Sequence, residues 1–234
     1  GSFYFVFGFE NDTRYGEKNM NDLPGFDQNG FNLLDHNDSK GIKSSYITLL
    51  QEKALKQYLP AVPDSDGVAV DLGCGYGRLC SILDQLGWDC IGIDPDSELL
   101  DKAAEIAPGI EFRVGGVPNL PLEHQESDLI LIQSVIRGLL LMGIHEDIRG
   151  IGHHVKPGGH IAVVENISSS GKSQFVEESW LVETICNEGF ELERRIPIRS
   201  GRWWLLYLIR YGLIPKAWLP KIADYELGKW SKRA

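Results

Sequence analysis

Three glycines at alternate positions follow a short apolar segment, Val68–Leu72. Gly73, Gly75 and Gly77 let the main chain approach a ligand closely, and the helix predicted after them directs its N-terminus toward that ligand. Asp94 lies 17 positions after Gly77, at the end of the next apolar segment. A carboxylate in that position typically accepts hydrogen bonds from both hydroxyls of a ribose. The spacing therefore predicts a nucleoside-binding site at the ends of two strands.

The charge at one further position distinguishes between nucleoside ligands. Asp71 stands two residues before Gly73. Its carboxylate would repel a pyrophosphate but attract an ammonium or sulfonium group. A dinucleotide fingerprint would also place its third glycine one residue later than Gly77, where this chain has Arg78. The sign of the charge therefore favours S-adenosylmethionine over a nicotinamide dinucleotide.

The segment Asp71–Gly77 resembles the first motif of class I S-adenosylmethionine-dependent methyltransferases, and Asp94 resembles their ribose-binding acid. The similarity continues over about residues 66–209. Further matching segments are Asn119–Leu122 with Ser127–Leu131, Val155–Gly159, which is similar to the family's LKPGG turn, and Glu188–Glu191.

The resemblance implies which residues contact S-adenosylmethionine and its product S-adenosylhomocysteine. Asp71 and Gly73 would lie near the methionine end, Gly75 and Gly77 would form the glycine turn, and Asp94 would hold the ribose. Further contacts would come from Pro95 beside the adenine, from Gly116 and the backbone N–H of Val117, and from Gln133 beneath the cofactor. The family often has an acid at position 116, so the adenine contact departs from its pattern here, and a polar strand end facing water remains the other interpretation of Gln133.

The acceptor depends on groups beyond the carboxyl ends of the strands. A hydroxyl acceptor needs a base to take its proton, whereas an amine needs only to arrive neutral. Glu165 and His145 are the candidate bases, and Arg137 is a candidate for orienting an oxygen-rich acceptor. Structural capping remains the alternative for Glu165 and His145, and solvated surface for Arg137. No metal site is predicted, because the four cysteines occur singly and the adjacent His153 and His154 would point apart on a helix.

The alternation of apolar segments and helical patterns predicts an α/β fold, a Rossmann-like three-layer α/β/α sandwich. Its sheet is expected to have seven mostly parallel strands. One strand should be antiparallel, because only Arg199-Ser200-Gly201 separates the last two predicted strands. The predicted strands are Val68–Leu72, Cys90–Ile93, Glu111–Val114, Asp128–Gln133, His160–Glu165 (after a turn at Gly158-Gly159), Phe190–Ile196 and Arg202–Leu208. The predicted helices are Ile42–Leu59, a segment ending at Leu86, Ser97–Ala107, Ile144–Val155 and Phe175–Glu188.

Composition and charge limit the partners. The chain has 234 residues, 43% hydrophobic and 24% charged, with a net charge of −10, so a nucleic-acid partner is not expected. No apolar run reaches the length of a membrane span, and the single cysteines favour a reducing, cytoplasmic location. Three parts are predicted: an arm and helix over residues 1–60 that caps the substrate, a cofactor-binding core over 61–209, and a helical tail over 210–234. The tail favours packing on the core or a homodimer contact over a membrane surface.

The functional hypothesis is an O-methyltransferase acting on a sugar, a glycan or another small hydroxylated metabolite. Gly1-Ser2 and the unusual start suggest a domain excised from a longer protein. The tail segment Gly212–Pro220 is similar to tails of methyltransferases in cell-envelope or viral glycan assembly, so fusion to glycosyltransferase domains is expected. Three alternatives remain open: an N- or C-methyltransferase acting on a small molecule, a non-catalytic binding module that keeps the fold, and a nicotinamide oxidoreductase.

Overall fold

The computed structural model describes residues 1–9, 38, 41–63, 66–141, 148–167, 176–199 and 203–230. Two units divide the chain. The first comprises Gly1–Phe7 with Tyr58–Ile196, and the second Gly8–Gln57 with Pro197–Ala234. The predicted arm and tail fall mainly in the second unit, and the predicted three-part division stays a prediction. No helix among the described residues is both long and apolar enough to cross a membrane.

The sheet has the hydrogen-bonded order β4-β3-β2-β5-β6-β1-β7. Five of its strands, β2 to β6, pair in parallel register. The strands are β1 Ser2–Phe9, β2 Val68–Leu72, β3 Asp89–Asp94, β4 Glu111–Val114, β5 Ser127–Gln133, β6 Val155–Ile167 and β7 Glu191–Arg199. The helices are α1 Ile42–Tyr58, α2 Arg78–Gln85, α3 Ser97–Ile106, α4 Val135–Leu141, α5 Glu178–Asn187, α6 Trp203–Arg210 and α7 Leu219–Trp230, with short 3-10 helices at Ile151–His154 and Lys216–Trp218.

The central strands are buried on both faces. Ala69 and Val70 of β2 and Leu129–Leu131 of β5 have no exposed surface. Uninterrupted apolar sequence is expected of parallel strands that are covered by helices on both sides. The helices α2 and α3 follow β2 and β3 as crossover connections, which brings the carboxyl ends of β2, β3 and β5 to one edge of the sheet.

The mostly parallel α/β sheet predicted from the sequence is confirmed for these five strands, but the antiparallel strand is not confirmed. The sequence left open which of Phe190–Ile196 and Arg202–Leu208 would be antiparallel. The strand predicted at Arg202–Leu208 is wrong, because the helix α6 begins at Trp203. Tyr211 N–H donates to the carbonyl of Tyr207 at 3.1 Å, and Leu213 N–H to that of Leu208 at 2.9 Å, which closes the helix. A short, uninterrupted apolar run has no periodicity that separates a buried strand from a helix. The strand β1 was not predicted.

Three other boundaries differ from the prediction. The sequence predicts a turn at Gly158-Gly159, but both residues lie inside β6, at a register irregularity opposite Ser127–Leu129. The helix predicted to end at Val155 is represented, within the described residues, by a 3-10 helix that ends at His154. The helix α5 begins later than predicted because Val176 forms a bridge with Ile167.

Asp128 fixes the start of the central strands. Its Oδ2 accepts hydrogen bonds from the backbone N–H of Val68 at 2.9 Å and from Lys156 Nζ at 2.7 Å. The carboxylate is mostly buried, with 19% of the side chain exposed. One residue of β5 therefore joins the beginnings of β2 and β6.

The substitution Asp128→Ala should lower the free energy of unfolding by about 1–3 kcal/mol, because it leaves a backbone donor and a lysine without their acceptor. Lys156→Ala removes only the half-exposed ion pair and should cost about 1 kcal/mol or less. Urea unfolding of both variants measures the difference. Equal losses in the two variants would show that the bond to Val68 contributes nothing.

Candidate functional site

The glycine turn between β2 and α2 has a backbone that other residues rarely adopt. Gly73, Gly75 and Gly77 have φ angles of 75°, 57° and 78°. This left-handed region is strained for side chains other than glycine. The N–H groups of Gly73 and Cys74 both donate to the carbonyl of Ile93, at 2.7 and 3.0 Å. The turn is thus fastened to the neighbouring strand β3.

Asp94 connects this turn to the loop after β3. Its Oδ2 accepts from the N–H of Gly75 at 2.8 Å, and its Oδ1 accepts from the N–H of Asp96 at 3.0 Å. Its own carbonyl accepts from the N–H of Gly115 at 3.1 Å, so the loop after β4 is attached as well. Burial raises the pKa of Asp94, and the two N–H donors oppose this rise. Each carboxylate oxygen keeps lone-pair capacity for a further donor, such as a ribose hydroxyl.

Asp71, near the end of β2, is buried with one unpaired oxygen. Only 1% of the residue is exposed, Oδ2 accepts from the Cys80 thiol at 3.3 Å, and Oδ1 has no hydrogen-bond partner among the residues that the structure describes. Burial raises the pKa of Asp71 to about 6, the thiol and the charge of Arg78 lower it, and the charge of Asp94 raises it. A buried carboxylate oxygen without a partner is costly, and a cationic group would relieve that cost.

These observations fit a nucleoside that carries a cationic arm. Asp71 offers an unpaired anionic oxygen, the glycine turn exposes main chain, and Asp94 offers acceptors at the next strand end. Pro95 lies beside Gly116, since a Cβ built on that glycine would be 3.9 Å from Pro95 Cδ. The two residues predicted to flank the adenine are therefore neighbours. Val117 lies in the same loop, inside the turn that is closed by the bridge between Gly116 and Asn119.

Gln133 is half-buried at the end of β5 and hydrogen-bonds to two neighbouring side chains, and its place beneath the cofactor stays a prediction. Its Oε1 accepts from Arg78 Nη2 at 3.3 Å, and its Nε2 donates to Ser134 Oγ at 2.6 Å. Ser134 has a φ of 58°, and its N–H donates to the carbonyl of Val164 at 3.0 Å. A left-handed serine is uncommon, and such strained residues cluster at functional sites. Sequence reasoning missed Ser134, because nothing in its residue type signals this conformation.

Glu165 holds the beginning of α4. It is 3% exposed, and its Oε2 and Oε1 accept from the N–H groups of Arg137 at 3.2 Å and Asn166 at 3.1 Å. Burial raises the pKa of Glu165 to about 7, while these donors and the charge of Arg137 lower it. The structure thus places Glu165 and Arg137 together in the capping arrangement that the sequence left open, and their catalytic roles stay predictions.

Two further points complete the predicted site. His145 lies outside the described residues. Among the residues that the structure describes, no group of three or more histidine, cysteine or acidic residues could hold a metal ion. Cys80 was also missed by sequence reasoning, because its contact with Asp71 spans nine positions between a strand and a helix and carries no spacing signal.

The contact between Cys80 and Asp71 can be tested through the pKa of Asp71 and through the binding of a cationic ligand. Cys80→Ala removes the thiol that donates to Oδ2, so the pKa of Asp71 should rise further, whereas Cys80→Ser keeps a donor and should hold it near the wild-type value. Because the carboxylate is charged only above its pKa, binding of a cationic ligand at pH near 6 should weaken roughly threefold in Cys80→Ala. The carbon-13 NMR titration of the Asp71 carboxyl measures the pKa directly.

The control is Cys186→Ala, which removes an exposed thiol from α5, because Cys90 itself interacts with Cys80. The hydrogen bond from Cys80 and the charge of Arg78, both on α2, lower the pKa of Asp71, and the charge of Asp94 on β3 raises it. The hydrogen bond with Cys80 is the largest cause that raises the pKa of Cys74 in the glycine turn, and the charge of Asp71 adds to it. Equal pKa values of Asp71 in the Ala and Ser variants at position 80 would contradict the assigned hydrogen bond.

Residues 70–163 match the methyltransferase domain family. The ubiquinone/menaquinone biosynthesis C-methyltransferase UbiE of Campylobacter jejuni is 31% identical over 97 residues, which cover 38% of this chain and 41% of that protein. An uncharacterized methyltransferase of Mycobacterium tuberculosis is 27% identical over 153 residues, 62% of this chain and 60% of that protein. The chain thus spans about two fifths of the length of the UbiE proteins that it matches.

Two solved structures show the same fold. A chain of the Haloferax volcanii complex between the Trm112 methyltransferase activator and a methyltransferase has a TM-score of 0.52 at 20% identity, and the similarity covers 68% of this chain and 75% of that chain. A SAM-dependent methyltransferase from Aquifex aeolicus has a TM-score of 0.51 at 17% identity, with coverage of 70% and 88%. The match of residues 70–163 to the methyltransferase domain family implies S-adenosylmethionine as the cofactor, and the two solved structures show that the fold is shared.

Proposed function

We propose that this chain transfers the methyl group of S-adenosylmethionine to a hydroxyl of a sugar, a glycan or another small hydroxylated metabolite. The observation that carries the cofactor part is the unpaired Oδ1 of the buried Asp71, beside a left-handed glycine turn and the acceptors of Asp94. The acceptor part rests on Glu165, a buried carboxyl group whose pKa of about 7 suits proton transfer near neutral pH.

S-adenosylmethionine, when bound, supplies a methyl group that is already activated by its sulfonium. The chain therefore has to bind, orient and exclude water rather than activate the donor. Asp71 is charged above pH of about 6 and then attracts the cationic end of the cofactor. Asp94, Gly75 and Pro95 would hold the nucleoside, with Gly116 and Val117 beside the base.

A hydroxyl acceptor must lose its proton as the new bond forms. Glu165 can take that proton only in its ionised form, which prevails above pH of about 7. Both of its oxygens already accept a backbone N–H, so the proton would go to the lone-pair capacity that remains. Arg137 would orient an oxygen-rich acceptor, and His145 remains the second candidate base.

A carbon acceptor is the second candidate. The observation that favours it is the 97-residue similarity to UbiE, a C-methyltransferase. Because that similarity spans only 41% of UbiE, it supports the cofactor half of the site more strongly than the acceptor. The two candidates share Asp71 and Asp94, and both lose a proton to a base, from oxygen in one case and from carbon in the other, so they differ in the atom that carries the new methyl group.

Cofactor binding is the first test. S-adenosylmethionine and S-adenosylhomocysteine should bind in isothermal titration calorimetry, whereas NAD⁺ should give no heat. Asp94→Asn removes an anionic acceptor and should weaken binding roughly tenfold or more. Asp89→Asn is the matched control, because Asp89 begins the same strand, is exposed and lies at its opposite end. Binding of NAD⁺ with no binding of S-adenosylmethionine would overturn the proposal.

The acceptor is tested with Glu165→Gln in a methyl-transfer screen of nucleotide sugars, short glycans and small phenols, with S-adenosylhomocysteine release as the readout. With a hydroxyl acceptor, kcat should fall by about 100-fold or more while cofactor affinity stays unchanged. The wild-type rate should rise with pH through about 7, as Glu165 loses its proton, and this step should be absent from the variant.

Lys156→Ala serves as a stability control, because it alters an ion pair at the opposite end of the strand that carries Glu165. An unaffected rate in Glu165→Gln would exclude Glu165 as the base and favour a different base, such as His145, or an amine acceptor that arrives neutral. Reaction of phenols with no reaction of glycans would remove the sugar acceptor and leave the methyltransferase assignment in place.

A further inference from the structure

The second unit carries a concentrated set of exposed apolar side chains. Eight large hydrophobic residues are exposed among the described part of the chain, and five of them lie within positions 207–225. These five are between 49% and 64% exposed, which is unusual for side chains that large. They are Tyr207, Tyr211, Leu213, Trp218 and Tyr225, and we name them, with the exposed lysines Lys216 and Lys221, the aromatic-basic surface.

The same segment already packs its inner face, so these residues are not core that has been left unpaired. In α7, Leu219, Ala223 and Leu227 recur every four positions and are at most 5% exposed. Ile209 of α6 is fully buried. Trp218, Lys221 and Tyr225 lie three and four positions apart and so share the other face of α7 and of the 3-10 helix before it, while Tyr207 and Tyr211 contact each other. Folding of the helices does not require these outward apolar residues.

The charge of this segment contrasts with that of the whole protein. The chain has 33 acidic and 23 basic residues, yet no acidic residue occurs from Pro197 to Ala223. The next two acids do not oppose the exposed lysines. Asp224 pairs with Lys53 at 2.6 Å, and Glu226 is buried. The aromatic-basic surface is thus locally cationic on an anionic protein.

We propose that the aromatic-basic surface binds the surface of a lipid bilayer that contains anionic lipids. Tyrosine and tryptophan have an apolar ring and a polar tip, so they are stable at the depth of the lipid head groups. The rings of Tyr207 and Tyr211 lie 4.5 Å apart and tilted by 47°, which gives a continuous apolar contact. Lysines beside them can reach phosphate groups while their stems cover apolar surface.

A second copy of the chain fits this surface less well. A two-fold symmetric dimer would place the same patch against itself. The lysines of both copies, Lys216 and Lys221, would then lie in one interface, and like charges brought together at an interface are unfavourable. A bilayer offers the apolar layer and the opposite charge together, and insertion of loop residues to head-group depth needs no spanning helix.

Vesicle co-sedimentation tests this proposal with the full chain. Wild-type protein should pellet with phosphatidylcholine vesicles that contain about one quarter phosphatidylglycerol, less with phosphatidylcholine alone, and less again at ~0.5 M salt. The variant Leu213→Ser with Trp218→Ser should need roughly tenfold more lipid or worse for half-binding. Lys216→Glu with Lys221→Glu should abolish the preference for anionic vesicles while leaving the apolar residues in place.

The matched control is Ile106→Ser, which replaces an equally exposed apolar residue of α3 in the first unit and should leave vesicle binding unchanged. Circular dichroism and calorimetric titration of S-adenosylmethionine confirm that each variant is folded. Equal pelleting of wild type and the Leu213/Trp218 variant would overturn the proposal. A wild-type protein that does not pellet with the vesicles would overturn it as well. In that case, a dimer of the wild type that light scattering detects and that the Leu213/Trp218 variant does not form would assign the surface to a second copy of the chain.

Discussion

The arrangement of the cofactor half depends on the hydrogen bonds of one buried residue. Asp94 accepts the N–H of Gly75 with one carboxylate oxygen and the N–H of Asp96 with the other, and its main-chain carbonyl accepts the N–H of Gly115. Three loops that follow three different strands are thereby held at fixed positions. Parallel pairing brings the ends of these strands to one edge, but it does not determine the paths of the loops beyond it. The carboxylate of Asp94 fixes these loop paths, because its hydrogen bonds to backbone N–H groups are directional and a buried N–H needs an acceptor.

Two buried carboxyl groups near this edge differ in their hydrogen-bond partners, and this difference favours different roles for them. Asp71 and Glu165 are both nearly inaccessible, and burial raises the pKa of both, to about 6 and about 7. Glu165 uses both oxygens to accept backbone N–H groups, so its immediate surroundings are satisfied by the fold itself. The Cys80 thiol donates a hydrogen bond to one oxygen of Asp71, and no donor among the described residues reaches the other oxygen. An unsatisfied buried acceptor is more costly than a hydrogen-bonded one. The residue that the fold leaves unsatisfied is therefore the better candidate for ligand binding, and Glu165 can act on an acceptor only in addition to its capping role.

Much of this edge could be predicted from the sequence because its signals are local. The positions of Gly73, Gly75 and Gly77 require a backbone that few other residues adopt, and the end of a buried strand fixes Asp94. The contact of Cys80 with Asp71 and the left-handed Ser134 could not be predicted, because each depends on a neighbour that only the folded chain supplies. The error at Arg202–Leu208 has a different cause. An apolar run without polar interruptions satisfies the pattern of a buried strand and of a helix equally, and length and capping decide between them.

The distribution of chemistry along the chain explains why the acceptor is harder to assign than the cofactor. The family match ends at residue 163, and the cofactor contacts proposed here all fall within it. The second unit, which holds residues 197–234, lies outside that match. Its exposed aromatic residues and lysines cannot be attributed to packing, since Ile209, Leu219 and Leu227 already provide the buried faces of α6 and α7. Exposing a tryptophan or leucine side chain to water costs free energy, and burial of the side chain against a partner surface removes that cost. The family match therefore covers the proposed cofactor contacts and Arg137, whereas Glu165 and the second unit lie outside it.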